Sequence, residues 1–375
     1  MNQLAAICFR AVMAGVFLFT LAASAVTNDF RGAQFIGFKT FSSFKKSAGE
    51  QTNEVVLTSP EIRAGIPWDE IILSWNADAP AGTYLKLEAR AVYTNHSTRF
   101  YTMGLWSADP SRHPRESVLK QKDDDGDVQT DTLVLKQPAG RLLLRITLGG
   151  DGKLKPKLKF LSASLLDSSA LREPLPPNRA AWGKTIEVPE RSQMAYEGGG
   201  VWCSPTTVSM LLAFWSERLK RGELDRDVPE VAKGVFDANW HGTGNWVFNT
   251  AYAGSFRGLR AYATRLSDVA ELEDFVARGI PVGLSLCYDR LRGVGRGPNG
   301  HLVVCVGFTE NGDPVINDPG TSIHVRKTFS RERLMDAWAY SKNTVYLIYP
   351  ENARLPKDRF AHWESSASRK AATRK

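Results

Sequence analysis

Residues 198–215 read GGGVWCSPTTVSMLLAFW and set one cysteine, Cys203, in a glycine-rich loop directly before an apolar segment. Pro205 suits a first helical turn, because its missing N–H would have no helical partner there. Apolar side chains then recur at the spacing of a helix with one buried face, at Val208, Leu211, Leu212, Trp215 and Leu219. The stretch therefore predicts a helix over about 204–221. The positive end of its dipole would favour the Cys203 thiolate, which is the nucleophilic form.

The N-terminal sequence predicts export. Arg10 is followed by the apolar run AVMAGVFLFTLAA and by ASA at 23–25, the pattern of a cleaved signal peptide over residues 1–25. The run is short for a membrane span, and no later run of about 18 apolar residues follows. We expect a secreted or otherwise extracytoplasmic protein without a membrane span after cleavage. An uncleaved anchor is the alternative.

Three cysteines follow the predicted signal peptide. An odd number in an oxidising compartment leaves at least one thiol unpaired. Cys287 and Cys305 lie in the strand-like runs IPVGLSLCY and HLVVCVGF, where they are either buried core thiols or partners in a cross-strand disulfide. Cys203, in its loop of glycines, is the cysteine left over.

The charge balance argues against nucleic-acid binding. The chain has 48 Lys and Arg against 40 Asp and Glu, a formal net charge of +8, and the charges are scattered except in the terminal SRKAATRK. A nucleic-acid partner would require a basic patch or stripe. The distribution favours solubility, or loose attraction to an anionic wall or surface.

The first half of the chain has the pattern of an all-β domain. Over residues 30–170, alternating runs such as TDTLVLKQPAGRLLLRITLGG are broken by turn residues, which predicts a β-sandwich or jelly roll. Within it, DDDGD at 123–127 is either a hairpin turn, which we favour, or a calcium loop that lacks the later glutamate of an EF-hand. The aromatic residues of this all-β half either pack in its core or form a sugar- or peptide-binding face. They are Trp68, Trp75, Tyr84, Tyr93, Tyr101 and Trp106.

The hydrophobic period changes after a proline-rich stretch. Residues 171–190 lack helical periodicity and are interpreted as an interdomain linker. Residues 191–352 then contain the helix already described, a second over 266–279, strands at 280–288, 300–308, 313–320, 322–329 and 344–350, and a short helix at 330–341. Helices followed by antiparallel strands indicate an α+β domain. Residues 353–375 would form a basic tail.

A nucleophilic thiol needs a base and a group that orients the base. His301 opens the predicted strand at 300–308, which would hold its ring at a strand edge. Asn317 and Asp318 return on the next strand, and only one of them can face His301, because consecutive strand residues point to opposite faces. We favour Asp318, since a carboxylate also stabilises an imidazolium. His241, in a glycine-rich loop, is the competing base.

A cysteine on a helix, a histidine on a strand and Asn or Asp on the next strand follow one another in papain-type order. Through RSQMAYEGGGVWCSPTTVSMLLAFW, RGIPVGLSLCY, NGHLVVCVGFTENGDPVINDPG and TVYLIYP, the chain resembles the papain-like cysteine peptidases of the bacteriocin-leader-processing, C39-like type from about residue 188 to 350. The resemblance implies Cys203 as nucleophile, His301 as general base and acid, and Asp318 as orienting acid.

Gln193 matches the family's glutamine whose side-chain amide helps to form the oxyanion hole. A side-chain N–H near a helix start is also a suitable donor to an oxyanion on physical grounds. A solvated loop glutamine is the alternative. The chain departs from the family pattern at Ser204, where glycine is usual, and we expect this extra side chain beside the oxyanion site to narrow the substrate range.

The segment 236–262 is rich in Asn, Gly, Trp and Tyr, and we expect a loop and short helix at the border of the cleft. Trp246, Asn249 and Tyr252 are then candidate substrate contacts. The alternative is that these side chains pack the loop onto the core.

Together these observations predict an exported cysteine peptidase or amidase that acts on a peptide or protein, such as a cell-wall peptide. A papain-like acyltransferase that passes the acyl group to an amine or thiol is one alternative, and an inactive surface-binding protein is another. No cofactor is implied, and the His and Cys spacings match no zinc pattern.

Overall fold

Two antiparallel sheets and six α-helices make up the part of the chain that a computed structural model describes, residues 29–364. The predicted signal peptide and residues 365–375 of the predicted tail lie outside the described residues. The first half is all-β and the second combines helices with a sheet, so the predicted α+β class with a β-rich domain in front is confirmed.

The first sheet has nine strands: β1 (Ala33–Phe38), β2 (Lys45–Ala48), β3 (Val55–Thr58), β4 (Ile62–Asp78), β5 (Thr83–Val92), β6 (Tyr101–Trp106), β7 (Gly126–Gln129), β8 (Thr132–Gly150) and β9 (Lys157–Leu166). Strands β4 and β8 are 17 and 19 residues long and change partners along their length. Strand β4 pairs first with β8 and then with β9, whereas β8 pairs with β4 and then with β3 and β5. Register shifts mark bulges in β4, and bulges bend a strand. The β-rich domain is therefore one continuous sheet built on two long, shared strands.

The aromatic residues of this domain mostly form its core. Four of the six noted in the sequence are buried and two are half-buried, namely Trp68, Trp75, Tyr101 and Trp106 in the first group and Tyr84 and Tyr93 in the second. The acidic run at 123–127 is a bend that leads into β7, and not a hairpin turn, because β7 pairs with β8, which follows it. Asp123 Oδ1 accepts the backbone N–H groups of Asp125 and Gly126, each at 3.0 Å, so its carboxylate shapes the bend.

The second sheet contains seven strands: β10 (Lys184–Thr185), β11 (Leu259–Arg265), β12 (Val282–Cys287), β13 (Gly300–Phe308), β14 (Pro314–Asn317), β15 (Arg326–Thr328) and β16 (Thr344–Pro350). Their order is β11-β16-β12-β13-β14-β15, and β10 pairs with β13. The helices are α1 (Cys203–Leu219), α2 (Val228–Val235), α3 (Trp246–Ser255), α4 (Val269–Ala277), α5 (Tyr288–Arg292) and α6 (Arg331–Ala339). Residues 204–216 of α1 are all buried, so this helix is enclosed on every side and not only on the predicted apolar face.

Three elements of the second domain escaped prediction. Helix α5 contains five residues, too few for the apolar spacing to show a period. Helix α2 contains eight, and the helical spacing of its buried Val228, Val231, Ala232 and Val235 was overlooked. Strand β11 occupies the end of the segment 236–262, which was predicted to be a loop and short helix.

The predicted linker at 171–190 is only partly a connection. Its second half joins the second sheet, because Lys184 and Thr185 form β10 and the N–H of Ile186 donates to Val306 O at 2.7 Å. Ile186 and Val188 are buried as well. Trp182 Nε1 donates to Glu273 Oε1 at 2.7 Å and fixes the entry of this segment.

Cys287 and Cys305 are free thiols. They lie on neighbouring strands, but Cys287 is opposite Gly300 and Cys305 is opposite Val282, so the two are far apart along the ladder. Both side chains are buried. Of the two predicted alternatives, the structure has core thiols, and the cross-strand disulfide is wrong.

The two domains share an interface through α3 and β4. Phe248 on α3 packs edge-on against Trp75 and Trp106, with ring centroids 6.1 and 5.4 Å apart. Asn76 on β4 donates from Nδ2 to Ala261 O at 2.6 Å and accepts the Ala261 N–H at 3.1 Å. A side-chain amide thus takes the place of a strand partner for β11. The β-rich domain is docked through buried contacts and is not a loosely tethered module.

Residues 353–364 are folded, so the prediction of a tail that begins at 353 is wrong. Ala361, His362 and Trp363 are at most 2% exposed. The N–H of Phe35 donates to Ala361 O at 2.7 Å, and His362 Nδ1 lies 2.8 Å from Glu271 Oε1. The segment therefore fastens strand β1 of the first domain to helix α4 of the second. Between residues 29 and 364, no helix has the length and apolar content of a membrane span.

Candidate active site

Cys203 is the first residue of α1, one position before the predicted start of the helix. Trp202 precedes it as N-cap, and the backbone N–H groups of Ser204 and Leu302 both point at the Cys203 sulfur. The side chain is half-buried, so the thiol can be reached from outside. Helix N-termini and backbone N–H groups stabilise negative charge, which makes this a favourable place for a thiolate.

His301 connects the thiol to a carboxylate. Its Nε2 lies 2.8 Å from Asp318 Oδ1, and the ring lies next to the Cys203 thiol, whose ionisation it favours. The imidazole is 5% exposed and Asp318 is 1% exposed, so little water competes for these contacts. Because Nε2 faces the carboxylate, Nδ1 is the nitrogen left for the thiol.

Asn317, the alternative orienting residue, and His241, the alternative base, lie outside this arrangement. Asn317 is buried with its amide donating to Val188 O at 3.2 Å and its Oδ1 accepting Arg326 Nε at 3.1 Å, so it faces away from His301. His241 is exposed in the loop at 236–245, on the border of the cleft. The structure thus brings Cys203, His301 and Asp318 together; their catalytic roles remain predictions.

The charges of the three groups stabilise one another. Burial alone would raise the pKa of Cys203, but the hydrogen bond and charge of His301 outweigh it and lower the pKa of the thiol. Burial would lower the pKa of His301, yet the hydrogen bonds to Asp318 and Cys203 raise it to about 9. Burial also opposes the charge of Asp318, and His301 still lowers the pKa of this carboxyl. At neutral pH the arrangement favours a thiolate beside an imidazolium.

Gln193 lies beside the thiol on the border of the same cleft. It is 3% exposed, which excludes the alternative of a solvated loop residue. Its backbone N–H donates to Pro319 O at 3.0 Å, and its Nε2 donates to Gly200 O at 2.8 Å. An amide nitrogen carries two hydrogens, so one N–H remains for an oxyanion.

Ser204 does not narrow the cleft, contrary to the prediction. Its side chain is fully buried and its Oγ lies 2.9 Å from the hydroxyl of Tyr346 on β16. The extra side chain therefore points into the core, and the backbone N–H of Ser204 remains directed at the sulfur.

Tyr288 is a site residue that the sequence analysis missed. Its ring packs on the His301 imidazole with centroids 4.0 Å apart, and its hydroxyl donates to Asp318 Oδ2 at 2.8 Å. Gly320 completes the enclosure, because a Cβ there would come within 3.0 Å of both His301 and the Tyr288 hydroxyl. The available signal was register: Leu286 is opposite His301, so an aromatic residue at this end of β12 lies beside the ring.

We expect Tyr288→Phe to lower kcat/KM for peptide hydrolysis by about tenfold, the scale of one hydrogen bond to a charged group. Without this donor the pKa of Asp318 should rise, the carboxylate should support the imidazolium less, and the alkaline limb of the pH profile should move to lower pH. The measurement is a pH profile of kcat/KM. Tyr93→Phe, which removes a hydroxyl bonded to Gln137 O in the β-rich domain, is the control. An unmoved alkaline limb would argue against this positioning role.

The cleft around the thiol has a volume of about 910 Å³. Trp246 is on its border and half-buried, as expected for a substrate contact. Asn249 is fully buried, and its amide donates to Thr243 O and Asn245 O, so it organises the start of α3. Tyr252 packs edge-on against Phe256, away from the cleft border. The structure therefore corrects the prediction for Asn249 and Tyr252, which serve packing.

The part of the chain between residues 29 and 364 contains no candidate metal site. No three His, Cys, Asp or Glu side chains are close enough together there to hold a metal ion.

Comparison with protein families gives one match for each domain. Residues 39–165 match the Peptidase C39 N-terminal domain, and residues 185–346 match the Peptidase_C39 like family. The second match contains Cys203, His301 and Asp318. No curated protein matches the chain.

Two solved structures have a weak similarity to parts of the chain. The structure of infectious bursal disease virus Gt strain shares 12% identity over 37% of this chain and 34% of that chain, with a TM-score of 0.20. The CBM22-1-GH10 modules of the Clostridium thermocellum endo-1,4-beta-D-xylanase 10B share 9% identity over 50% of this chain and 35% of that chain, with a TM-score of 0.16. The alignments thus span about a third of each of those chains, and scores this low carry no argument about fold or function.

Proposed function

Because the chain belongs to the C39-like peptidase family in both of its domains, we propose that it is a cysteine peptidase that hydrolyses peptide bonds through Cys203, His301 and Asp318. One observation carries the proposal. At the border of an open cleft, the thiol lies next to an imidazole that favours its ionisation, and Nε2 of this imidazole lies 2.8 Å from a buried carboxylate. A nucleophile bonded to a base, and a base bonded to an orienting acid, is the arrangement that acyl transfer requires.

The proposed reaction has two stages. The Cys203 thiolate attacks the peptide carbonyl, and the oxyanion is bound by the free N–H of Gln193 and the backbone at the start of α1. The His301 imidazolium gives its proton to the leaving amine, the C–N bond breaks and a thioester forms. Water then attacks the thioester, His301 takes its proton, and the acid is released as the thiol is restored. Asp318 holds the ring orientation throughout.

The cellular setting belongs to the same proposal. The signal-like sequence at residues 1–25 supports an exported peptidase, and a peptide or protein, such as a cell-wall peptide, is the expected substrate. An amine acceptor added to the peptide assay distinguishes the acyltransferase alternative, because only a transferase would yield the amide in preference to the free acid.

The test is the rate of iodoacetamide labelling at each cysteine as a function of pH, followed by peptide mapping. Cys203 should react rapidly below the pH at which an ordinary thiol ionises, about 8.5, because its pKa is lowered and the thiolate is the reactive form. Cys305 should stay unreactive, because burial raises its pKa to about 12. His301→Ala should abolish the rapid labelling. Slow and equal labelling of all three cysteines would reject the proposal.

Peptide hydrolysis should fall as pH rises through about 9. The pKa of His301 is raised from 6.5 to about 9, so the imidazolium that protonates the leaving amine is present below this value and lost above it. The acid limb should reflect protonation of the Cys203 thiolate. The measurement is kcat/KM from pH 5 to 10 with stability monitored in parallel. An activity that keeps rising up to pH 10 would contradict the assignment.

A further inference from the structure

The β-rich domain reaches into the cleft of the second domain. The tip of the β7–β8 hairpin, residues 129–132, lies on the cleft border together with Glu70 of β4 and Val134 of β8. These residues face the same space as Cys203 and His301. The cleft is thus walled by both domains, although the nucleophile and the base come from the second domain alone.

The backbone conformation at Thr130, in the hairpin tip, is unfavourable for a threonine. Thr130 has a φ of 60°, a left-handed conformation that is uncommon for a β-branched side chain. Two-residue hairpin turns usually place glycine or asparagine at such a position. Backbone strain of this kind persists only where the surroundings impose it, and it is concentrated at binding and catalytic sites.

Asp131 fastens the hairpin to the second domain. Its Oδ2 accepts the backbone N–H of Trp246 at 2.6 Å, at the first residue of α3. Asp131 is 7% exposed, so this contact is sheltered from water. The carboxylate holds the start of α3, and with it the Trp246 side chain, at a fixed distance from the hairpin.

A second set of contacts fixes the opposite border. Asp237 begins the loop at 236–245, and its Oδ1 accepts the Ser117 N–H of the β-rich domain at 2.9 Å. Asn239 Nδ2 donates to Ser117 O at 3.0 Å. At its other end Thr243 Oγ1 donates to Val201 O, next to the thiol loop. The loop that carries Trp240 is therefore held between the β-rich domain and the nucleophile.

The exposed border of the cleft combines apolar side chains with the polar Gln129, His241, Arg292, Asn299 and Lys342. Four large hydrophobic side chains there are each at least 40% exposed, namely Met194, Val201, Trp240 and Tyr340. Together with the half-buried Trp246 they surround a site lined by glycine backbone at 200, 242, 244, 300 and 320. Glycines let a peptide backbone approach, while exposed apolar side chains around a concave site mark contacts to apolar groups.

From these contacts we infer that the β-rich domain forms the substrate-selecting wall of the cleft, and that the substrate is a peptide with a large apolar side chain beside the cleaved bond. The inference rests on the proposed function. The apolar side chain would lie against Met194, Val201 and Trp240 of the second domain, and the hairpin would contact it through the aliphatic parts of Gln129 and Thr130. The contacts of Asp131 and Asp237 would keep the wall in place.

The test uses the full-length protein and a mixed peptide library, with cleaved bonds identified by mass spectrometry. The wild type should prefer large apolar residues over alanine at one position that flanks the cleaved bond. The double variant Gln129→Ala/Thr130→Gly should lower this preference about tenfold, the scale of one or two lost apolar contacts in a specificity pocket. Its fold should be retained, because glycine suits the positive φ at 130.

Lys153→Ala/Leu154→Gly is the matched control, since both side chains are exposed in the β8–β9 connection of the same domain and lie off the cleft border. It should leave the preference unchanged. Iodoacetamide labelling of Cys203 distinguishes a failure of the proposed function from a failure of this inference. Without rapid labelling in the wild type, the proposed function fails. Rapid labelling without any cleavage of the library would count against peptide hydrolysis itself. With rapid labelling and cleavage, an unchanged preference in the hairpin variant overturns the inference alone.

Discussion

Replacing Cys203 by alanine is expected to lower kcat for peptide hydrolysis by about 10⁴-fold or more, the range seen when a covalent nucleophile is removed. The expectation follows from the proposed chemistry, because no acyl-enzyme can form without the sulfur. The thiol is also the group to which His301 and the N–H groups of Ser204 and Leu302 are directed. Residual hydrolysis would come only from substrate binding and the oxyanion donors. The measurement is the single-turnover rate on a peptide that the wild type cleaves.

The control for this variant is Cys305→Ala, which removes a buried thiol from the interior of β13, the strand that also carries His301. It should retain near wild-type kcat. A further comparison tests whether the groups act as a unit. His301→Ala and the double variant Cys203→Ala/His301→Ala should be about as inactive as Cys203→Ala alone, because members of one catalytic unit are not additive. Activity that survives Cys203→Ala would place the nucleophile elsewhere.

The candidate site could be predicted because its parts carry local patterns. Cys203 lies at the start of a segment with a helical period of apolar residues. His301 lies at the start of an apolar strand, and this strand pairs with the next strand in the sequence. Each of these patterns is formed by a few residues that are close together in the chain, so it can be recognised in a single sequence. Tyr288 depends on the register between β12 and β13, and on a helix of five residues, which no local pattern encodes.

The errors at Asn249 and Ser204 have a shared cause. Residue type suggested polar side chains available to a substrate, but both are fully buried and bonded inside the fold. Polar groups that satisfy buried backbone look the same in a sequence as polar groups that face a cleft. For the same reason the interface between the domains could not be predicted. In the sequence, Asn76 and Glu70 on β4 look like the polar residues of a strand with one solvent-facing side.

The second large effect is expected at that interface: Glu70→Gln should lower the free energy of unfolding by about 3–5 kcal/mol, the cost of leaving a buried charge without its partner. Glu70 and Arg265 are 2% and 1% exposed, and Arg265 Nη2 lies 2.7 Å from Glu70 Oε2. The ammonium group of Lys342 contacts the other oxygen. Within residues 29–364, Arg265 Nε and Nη1 have no hydrogen-bond partner, so Glu70 is the bonded anion of this guanidinium. Equilibrium unfolding in urea measures the change.

A matched surface pair shows whether burial causes the effect. Arg226 Nη1 lies 2.6 Å from Glu230 Oε1, at nearly the same distance as in the buried pair, but these side chains are 32% and 47% exposed. Glu230→Gln should therefore cost at most about 0.5 kcal/mol, because water replaces the lost contact. The double variant Glu70→Leu/Arg265→Met removes both buried charges and should recover most of the stability lost in Glu70→Gln. If Glu70→Gln costs less than about 1 kcal/mol, the guanidinium is not held by this pair, and the docking of the two domains depends on the apolar contacts of Phe248 instead.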